Sequence, residues 1–283
     1  VAISLDIDPD ANRAVQGRQD TLSSPVEHGT IRAEACRRGL QKILELLDIY
    51  DIDATLFYEA RTAQMLVADG MNLPKLSERH EVSCHSLKHE DYLGTVSGVP
   101  MEEESIEEAI TQSKEILENI FKRALKGFRA PYTRINQAVV RVIERLEFQY
   151  DSSETVALGA EWKGRPFPLA KYDSDLLELA LPLLQDSKGQ KMSSYLWTIF
   201  EGQRVSGDYT DAALRARDTA KGGLFIFSIH PWHLHVDYQG KPFPEEQVTK
   251  NCENLESILS ELKQMQDVQI IRQDEYLHHW LLS

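Results

Sequence analysis

The chain has 283 residues, 42% hydrophobic and 27% charged, which suits a globular protein with a sizeable core and excludes a disordered or fibrous one. Lys and Arg number 31 against 45 Asp and Glu, and the net charge of −14 argues against partners with phosphate backbones or anionic lipid surfaces. No apolar stretch approaches the roughly 20 residues that span a bilayer, and Cys36, Cys84 and Cys252 are too scattered for a disulfide framework or a thiolate zinc knuckle. A cytoplasmic protein with no nucleic-acid partner and no membrane insertion is the expectation. The first residues hold no basic segment leading into a long apolar core, and a trimmed leader is left open.

The predicted elements alternate along the chain. Residues 1–5 read as a strand, 34–50 as a helix, 54–57 as a strand and 60–69 as a helix. A strand at 81–84 precedes a helix at 102–123, where Ile106, Ile110, Leu117 and Phe121 form one apolar face among acids and lysines. Then come a strand at 127–129, a helix at 136–146 and a strand at 148–150. From about 159 to 207 the rhythm breaks into aromatics with weak periodicity, so this stretch reads as an insertion within one domain spanning 1–283. The alternation resumes with a helix at 211–220, a strand at 224–229, a helix at 245–266 and a strand at 268–271. Such alternation implies parallel βαβ units, in either an open doubly wound sheet or a (β/α) barrel.

Both architectures place chemistry at the carboxyl ends of the strands. The polar residues fall there. Asp6 and Asp8 close the first strand, His85 and His89 follow the third, Arg129 ends the fourth, Asp151 follows the fifth and His230 follows the sixth.

Each group has its own chemistry. His85 and His89, four apart, lie on one face if the turn is helical, where both imidazoles reach one metal ion; the same spacing suits two satisfied or exposed histidines. Asp6 and Asp8, two apart in an extended chain, point to the same side. One carboxylate then completes a His–His–Asp site and the other stays unliganded as a base, unless the pair is only a polar strand end turned by Pro9. Arg129 offers a bidentate grip on a carboxylate, and Pro131 fixes the backbone so that the Tyr132 amide can face a developing oxyanion. His230, paired with a carboxylate such as Asp151, would stay protonated as a general acid; His233 and His235 read as loop residues.

The ordered set resembles the polysaccharide deacetylase family (carbohydrate esterase family 4, the NodB-homology group). The matching motifs are Ser4-Leu5-Asp6-Ile7-Asp8, the His-Ser-x-x-His of 85–89, the Arg-x-Pro-Tyr of 129–132, Tyr150-Asp151-Ser152-Ser153 and Ile229-His230, in family order. The resemblance implies a distorted, TIM-like (β/α) barrel of about seven parallel strands and metal-dependent removal of an N- or O-acetyl group from a sugar or glycan. It implies Asp8, His85 and His89 as ligands of one divalent ion, zinc first, with cobalt or nickel as alternatives. It makes Asp6 the base oriented by Arg129, Tyr132 an oxyanion donor through its backbone, and His230 the acid held by Asp151.

The commoner family pattern has adjacent aspartates followed by glycine. Here Ile7 intervenes and Pro9 follows, a spacing similar to the signal-less branch that includes peptidoglycan deacetylase-like and allantoinase-like proteins. Some of that branch hydrolyse cyclic amides, in cases without a metal, so a cyclic-amide hydrolase is the alternative activity and a non-catalytic carbohydrate-binding barrel the third. Trp162 and Trp197 are the candidates for the family's tryptophan, and the 159–207 segment is expected to act as a lid or as a contact in a homo-oligomer.

Overall fold

Strand β1, Ala2–Ile7, is buried at every position, as a strand covered on both faces must be. The computed structural model describes residues 1–9, 28–158, 162–186 and 188–282. Chain order continues with α1 (His28–Ile49), β2 (Thr55–Tyr58), α2 (Ala60–Ala68), α3 (Leu73–Leu76), β3 (Glu81–Cys84), α4 (Glu103–Phe121), β4 (Gly127–Phe128), α5 (Gln137–Arg145) and β5 (Tyr150–Asp151). After it come β6 (Thr155–Ala157), β7 (Phe167–Pro168), β8 (Leu177–Glu178), β9 (Leu181–Gln185), β10 (Lys191–Met192), α6 (Trp197–Phe200), α7 (Ser206–Thr219), β11 (Ile226–Ile229), α8 (Glu245–Gln264) and α9 (Gln273–Leu282).

The main sheet has the order β11-β1-β2-β3-β4-β5-β8-β7. Its pairings are parallel from β11 to β8, and β7 lies antiparallel at the edge. Seven parallel strands among the described residues match the expected barrel. A smaller sheet, β10-β9-β6, continues the far side, and the chain beyond β10 returns to β11 through a parallel bridge between Tyr195 and Ser228. The sheet is strongly curled. Arg129, at the end of β4, donates to Ser4 and Asp6 of β1 and to Ser228 of β11. In a flat sheet β4 and β1 would lie about 14 Å apart, beyond the reach of one side chain.

The helices cover the outside of the curl. In α5, Asn136 caps the first turn by accepting from Val139 N at 2.9 Å, and Val139, Val140, Val142 and Ile143 bury the apolar face. Helix α1 packs against the turn after β11 so closely that a Cβ on Gly39 would stand 1.9 Å from the carbonyl oxygen of Pro231. Pro231 follows His230, so this glycine sets where the histidine sits. Gly39→Ala is expected to cost about 1–3 kcal/mol through overpacking, read as a lower urea midpoint with unchanged cooperativity.

Three expectations need correction. Residues 268–271 form no strand: Ile271 N donates to Val1 O at 2.9 Å and Val1 N to Gln269 O at 2.6 Å, and the chain then enters α9. Residues 85–89 form no helical turn. Ser86 and His89 have φ of 71° and 60°, so the segment is a tight loop. The stretch read as an insertion supplies β8 to the main sheet and β9 and β10 to the smaller one, with 159–161 and 187 outside the described residues. Strands of two residues carry no readable period, which is why the pattern looked interrupted.

Beneath the site lies a buried acid. Glu81 accepts from Thr55 Oγ1 and Tyr150 OH, both at 2.8 Å, and burial, then Asp274, push its carboxyl up to about 7. A carboxyl raised on folding holds its proton where the unfolded chain releases it. Its contribution therefore lowers stability as pH rises from the ordinary 4.5 towards about 7. Denaturation midpoints of wild type and Glu81→Gln at pH 5 and pH 8 check this: the wild type should lose ground relative to the variant at the higher pH.

Candidate active site

With a period of two, Ser4, Asp6 and Asp8 share the inner face of β1, while Ile3, Leu5 and Ile7 face the main apolar core. Arg129 fills the interior opposite them. It is 0% exposed, and its guanidinium lies over the Phe57 ring at 4.1 Å. Nε donates to Ser152 O and Nη2 to Ser152 Oγ, both at 2.9 Å, and Nη1 donates to Asp6 Oδ1 at 2.7 Å. A buried cation so fully bonded fixes the carboxylate it meets. Burial alone would raise the Asp6 carboxyl, but Arg129, His85, His230 and the Tyr195 hydroxyl together hold it well below the ordinary carboxylate range. Asp6 is therefore ionised at neutral pH.

Asp8, His85 and His89 are buried, and one ligand atom from each lies within 4.8 Å of the others. The His85 ring is oriented from behind, since its Nδ1 lies 2.8 Å from the carbonyl oxygen of Arg129. A carbonyl only accepts, so Nδ1 carries the proton and Nε2 the lone pair. That Nε2 stands 3.7 Å from Asp8 Oδ2, too far for a hydrogen bond, and has no hydrogen-bond partner among the described residues. Burial holds the imidazole below its ordinary pKa, in the neutral form a metal needs. A buried, unprotonated nitrogen aimed at a carboxylate, with a second imidazole alongside, fits a divalent ion of the zinc type.

The loop makes this possible without a helix. His89 N donates to Ser86 Oγ at 2.9 Å, and buried Glu90 accepts from Leu87 N at 3.2 Å and Lys88 N at 3.1 Å. The two imidazoles end 5.3 Å apart at 67°. Tyr132 stands edge-on to His89 at 4.7 Å, in the left-handed region with φ 57°, followed by Thr133 at 54°. Two such residues in succession are strained, and strain of this kind gathers at functional sites.

His230 closes the opposite wall. Its Nε2 lies 4.0 Å from Asp6 Oδ2, and its ring stacks on Tyr195 at 4.9 Å and 17°. The expected pairing of His230 with Asp151 is absent. Asp151 accepts instead from Ser153 Oγ at 2.7 Å and Ser153 N at 3.1 Å, and its neighbour in register is the buried Glu178. Burial raises both carboxyls, and the neighbouring Asp151 raises that of Glu178 further. The stretch that sequence reading set aside as an insertion supplies the strand that places Glu178 beside Asp151.

Residues 27–150 match the family model for polysaccharide deacetylase. This is the family that the ordered motifs resemble. Among solved structures, a protein described as a putative polysaccharide deacetylase from Mycobacterium smegmatis superposes with a TM-score of 0.67 at 19% identity, over 98% of this chain and 89% of that one. Puue allantoinase superposes at 0.68 and 17% identity, over 100% and 90%. A carbohydrate esterase family 4 pseudoenzyme from Bacillus anthracis superposes at 0.52 and 14% identity, over 98% and 65%. At these identities the likeness is one of fold: an α/β protein built on a curled, mostly parallel sheet. No curated protein matches in sequence.

Of the residues singled out for a role, Asp6, Asp8, His85, His89, Arg129, Tyr132 and His230 stand in the cluster just described, and Asp151 does not. Trp162 lies elsewhere, in a cleft of about 330 Å³ with Gly164, Phe167 and Leu224 near the amino end of β11, which shares no residue with the cluster. Tyr195 escaped sequence reading because it lies in an aperiodic stretch with no motif around it. No helix among the described residues is long and apolar enough to cross a membrane.

Proposed function

We propose that the protein is a metal-dependent hydrolase that removes an N- or O-acetyl group from a sugar or polysaccharide precursor and releases acetate. The observation that carries this reading is the buried Asp8–His85–His89 group beside an ionised Asp6 gripped by Arg129. Asp8, His85 and His89 would hold the ion. A bound divalent ion supplies Lewis acidity at a carbonyl oxygen and makes water more acidic.

The chain's own residues do the rest. Asp6 takes a proton from the attacking water as the water oxygen bonds to the acetyl carbon. The Tyr132 backbone N–H faces the carbonyl oxygen as it gains charge. His230 hands its proton to the sugar nitrogen, or oxygen, as the bond to the acyl carbon breaks, giving a free amine or hydroxyl and acetate. In this scheme the carboxylate that faces His230 among the described residues is Asp6.

The test is acetate release from a panel of N- and O-acetylated sugars, with and without chelator, and with zinc, cobalt or nickel restored. Release that stops with chelator and returns with metal is the expected result; no release under any metal overturns the proposal. A second reading is favoured by the spaced aspartates and by the likeness to Puue allantoinase over the whole chain. It is ring opening of a cyclic amide, and the same panel with ring amides separates the two.

A further inference from the structure

Asp6 and His230 present a problem that the proposed chemistry leaves open. A buried carboxylate and an imidazole this close tend to collapse into an ion pair, and a collapsed pair offers neither a base to water nor an acid to a leaving group. Yet Asp6 Oδ2 and His230 Nε2 stand 4.0 Å apart. What occupies the Asp6 oxygen facing the histidine is the hydroxyl of Tyr195, which donates to Oδ2 at 2.6 Å. The other oxygen, Oδ1, belongs to Arg129. The same tyrosine lies flat against the imidazole, ring centroids 4.9 Å apart at 17°. One side chain thus meets both groups, the carboxylate through its hydroxyl and the imidazole through its face.

The backbone holds Tyr195 in place. Ser228 N donates to Ser194 O at 3.1 Å and Leu196 N to Ser228 O at 3.0 Å, so the segment is zipped onto β11 two residues before His230. Tyr209 OH donates to Tyr195 O at 2.9 Å. These bonds belong to a stretch that matches none of the deacetylase motifs.

We propose that Tyr195 is a positioning residue that keeps the Asp6 carboxylate and the His230 imidazole apart, each directed towards substrate. This rests on the roles given to Asp6 and His230 above. Removing the hydroxyl takes from Oδ2 the donor it has on the side of His230, so the gap is expected to close. Purely structural packing would not have this consequence, because phenylalanine preserves the ring and the stack.

The experiment is a pair of crystal structures, wild type and Tyr195→Phe, with ¹H–¹⁵N spectra of the His230 imidazole in both. The expected result is a shortening of the Oδ2–Nε2 distance to a hydrogen bond of about 2.8 Å, with a new downfield His230 N–H signal. Tyr195→Leu, which loses the ring as well, should close the gap in the same way and guards against a folding artefact of one variant. On an acetylated substrate, Tyr195→Phe should lower kcat on the order of 10²-fold with KM nearly unchanged. A gap that stays at its wild-type value in both variants, with an unchanged imidazole signal, overturns the proposal. Wild type that releases no acetate overturns the deacetylase reading instead, and the distance and the spectrum still decide the role of Tyr195.

Discussion

Arg129→Met is expected to destabilise the protein by about 3–5 kcal/mol, the usual result of leaving one member of a buried ion pair without its partner. Asp6 is 1% exposed and would be left with the Tyr195 hydroxyl and the charges of His85 and the more distant His230. The sign of the pH dependence is the sharper check. In the wild type the Asp6 carboxyl sits below its ordinary 3.8, so its contribution is present at neutral pH and is lost as pH falls through and below that value. Without Arg129 the burial effect dominates, the carboxyl rises, and the variant should recover stability relative to wild type as the solution is acidified. Adding Asp6→Asn to Arg129→Met should restore part of the loss at pH 7 and none of the activity. Urea midpoints of the four proteins of this cycle, at pH 7 and pH 4.5, measure both effects; additive losses would mean that the two side chains stabilise the fold independently.

His85→Ala and His89→Ala are expected to abolish tight metal binding. Wild type purified in parallel should carry about one divalent ion per chain, and the ligand variants none, with affinity down by more than the roughly 10–100-fold that loss of an outer partner costs. Glu90→Ala supplies that comparison. Its carboxylate is not one of the three candidate ligands but accepts from Leu87 N and Lys88 N, so its loss should weaken binding within the 10–100-fold range. Added zinc should raise the melting temperature of wild type and leave that of His85→Ala unchanged, because only a ligand bound to the folded state shifts the unfolding equilibrium. Metal analysis of the purified proteins and melting curves with and without zinc are the measurements. No metal in wild type after incubation with zinc would favour metal-independent amide hydrolysis.

The pseudoenzyme among the structural neighbours bears on how far fold alone carries function. The curled sheet positions a rim, and turnover depends on which side chains stand on it. Here Asp6, Arg129, the Asp8–His85–His89 group and His230 stand together, and the Tyr195 hydroxyl donates to Asp6.

Much of the site was legible because the residues lie at strand ends, where the period of two is short-range. Asp6 and Asp8 share a face whatever the rest of the chain does. His85 and His89 come together as their spacing suggests, but by another route. A helical turn was expected, and a loop with Ser86 and His89 in the left-handed region brings the same two rings together. That loop depends on the buried Glu90 and Ser86, whose hydrogen bonds leave no periodic trace.

Asp151 shows the opposite case. It stands at a strand end as expected, but its partner is decided by the strand beside it, and β8 brings Glu178 there from 27 positions along the chain. Tyr195 likewise reaches Asp6 across 189 positions, held by an isolated bridge to Ser228 that leaves no readable period. The sequence by itself determined the alternation that yields a parallel sheet, and the aspartates, histidines and arginine that stand at its strand ends. The tertiary structure decided which of them meet: curling brings Arg129 onto β1 and β11, and strand order gives Asp151 to Glu178 and Tyr195 to Asp6. Local periodicity is set within a few residues, whereas these contacts depend on how far the whole sheet bends, a property no single segment carries.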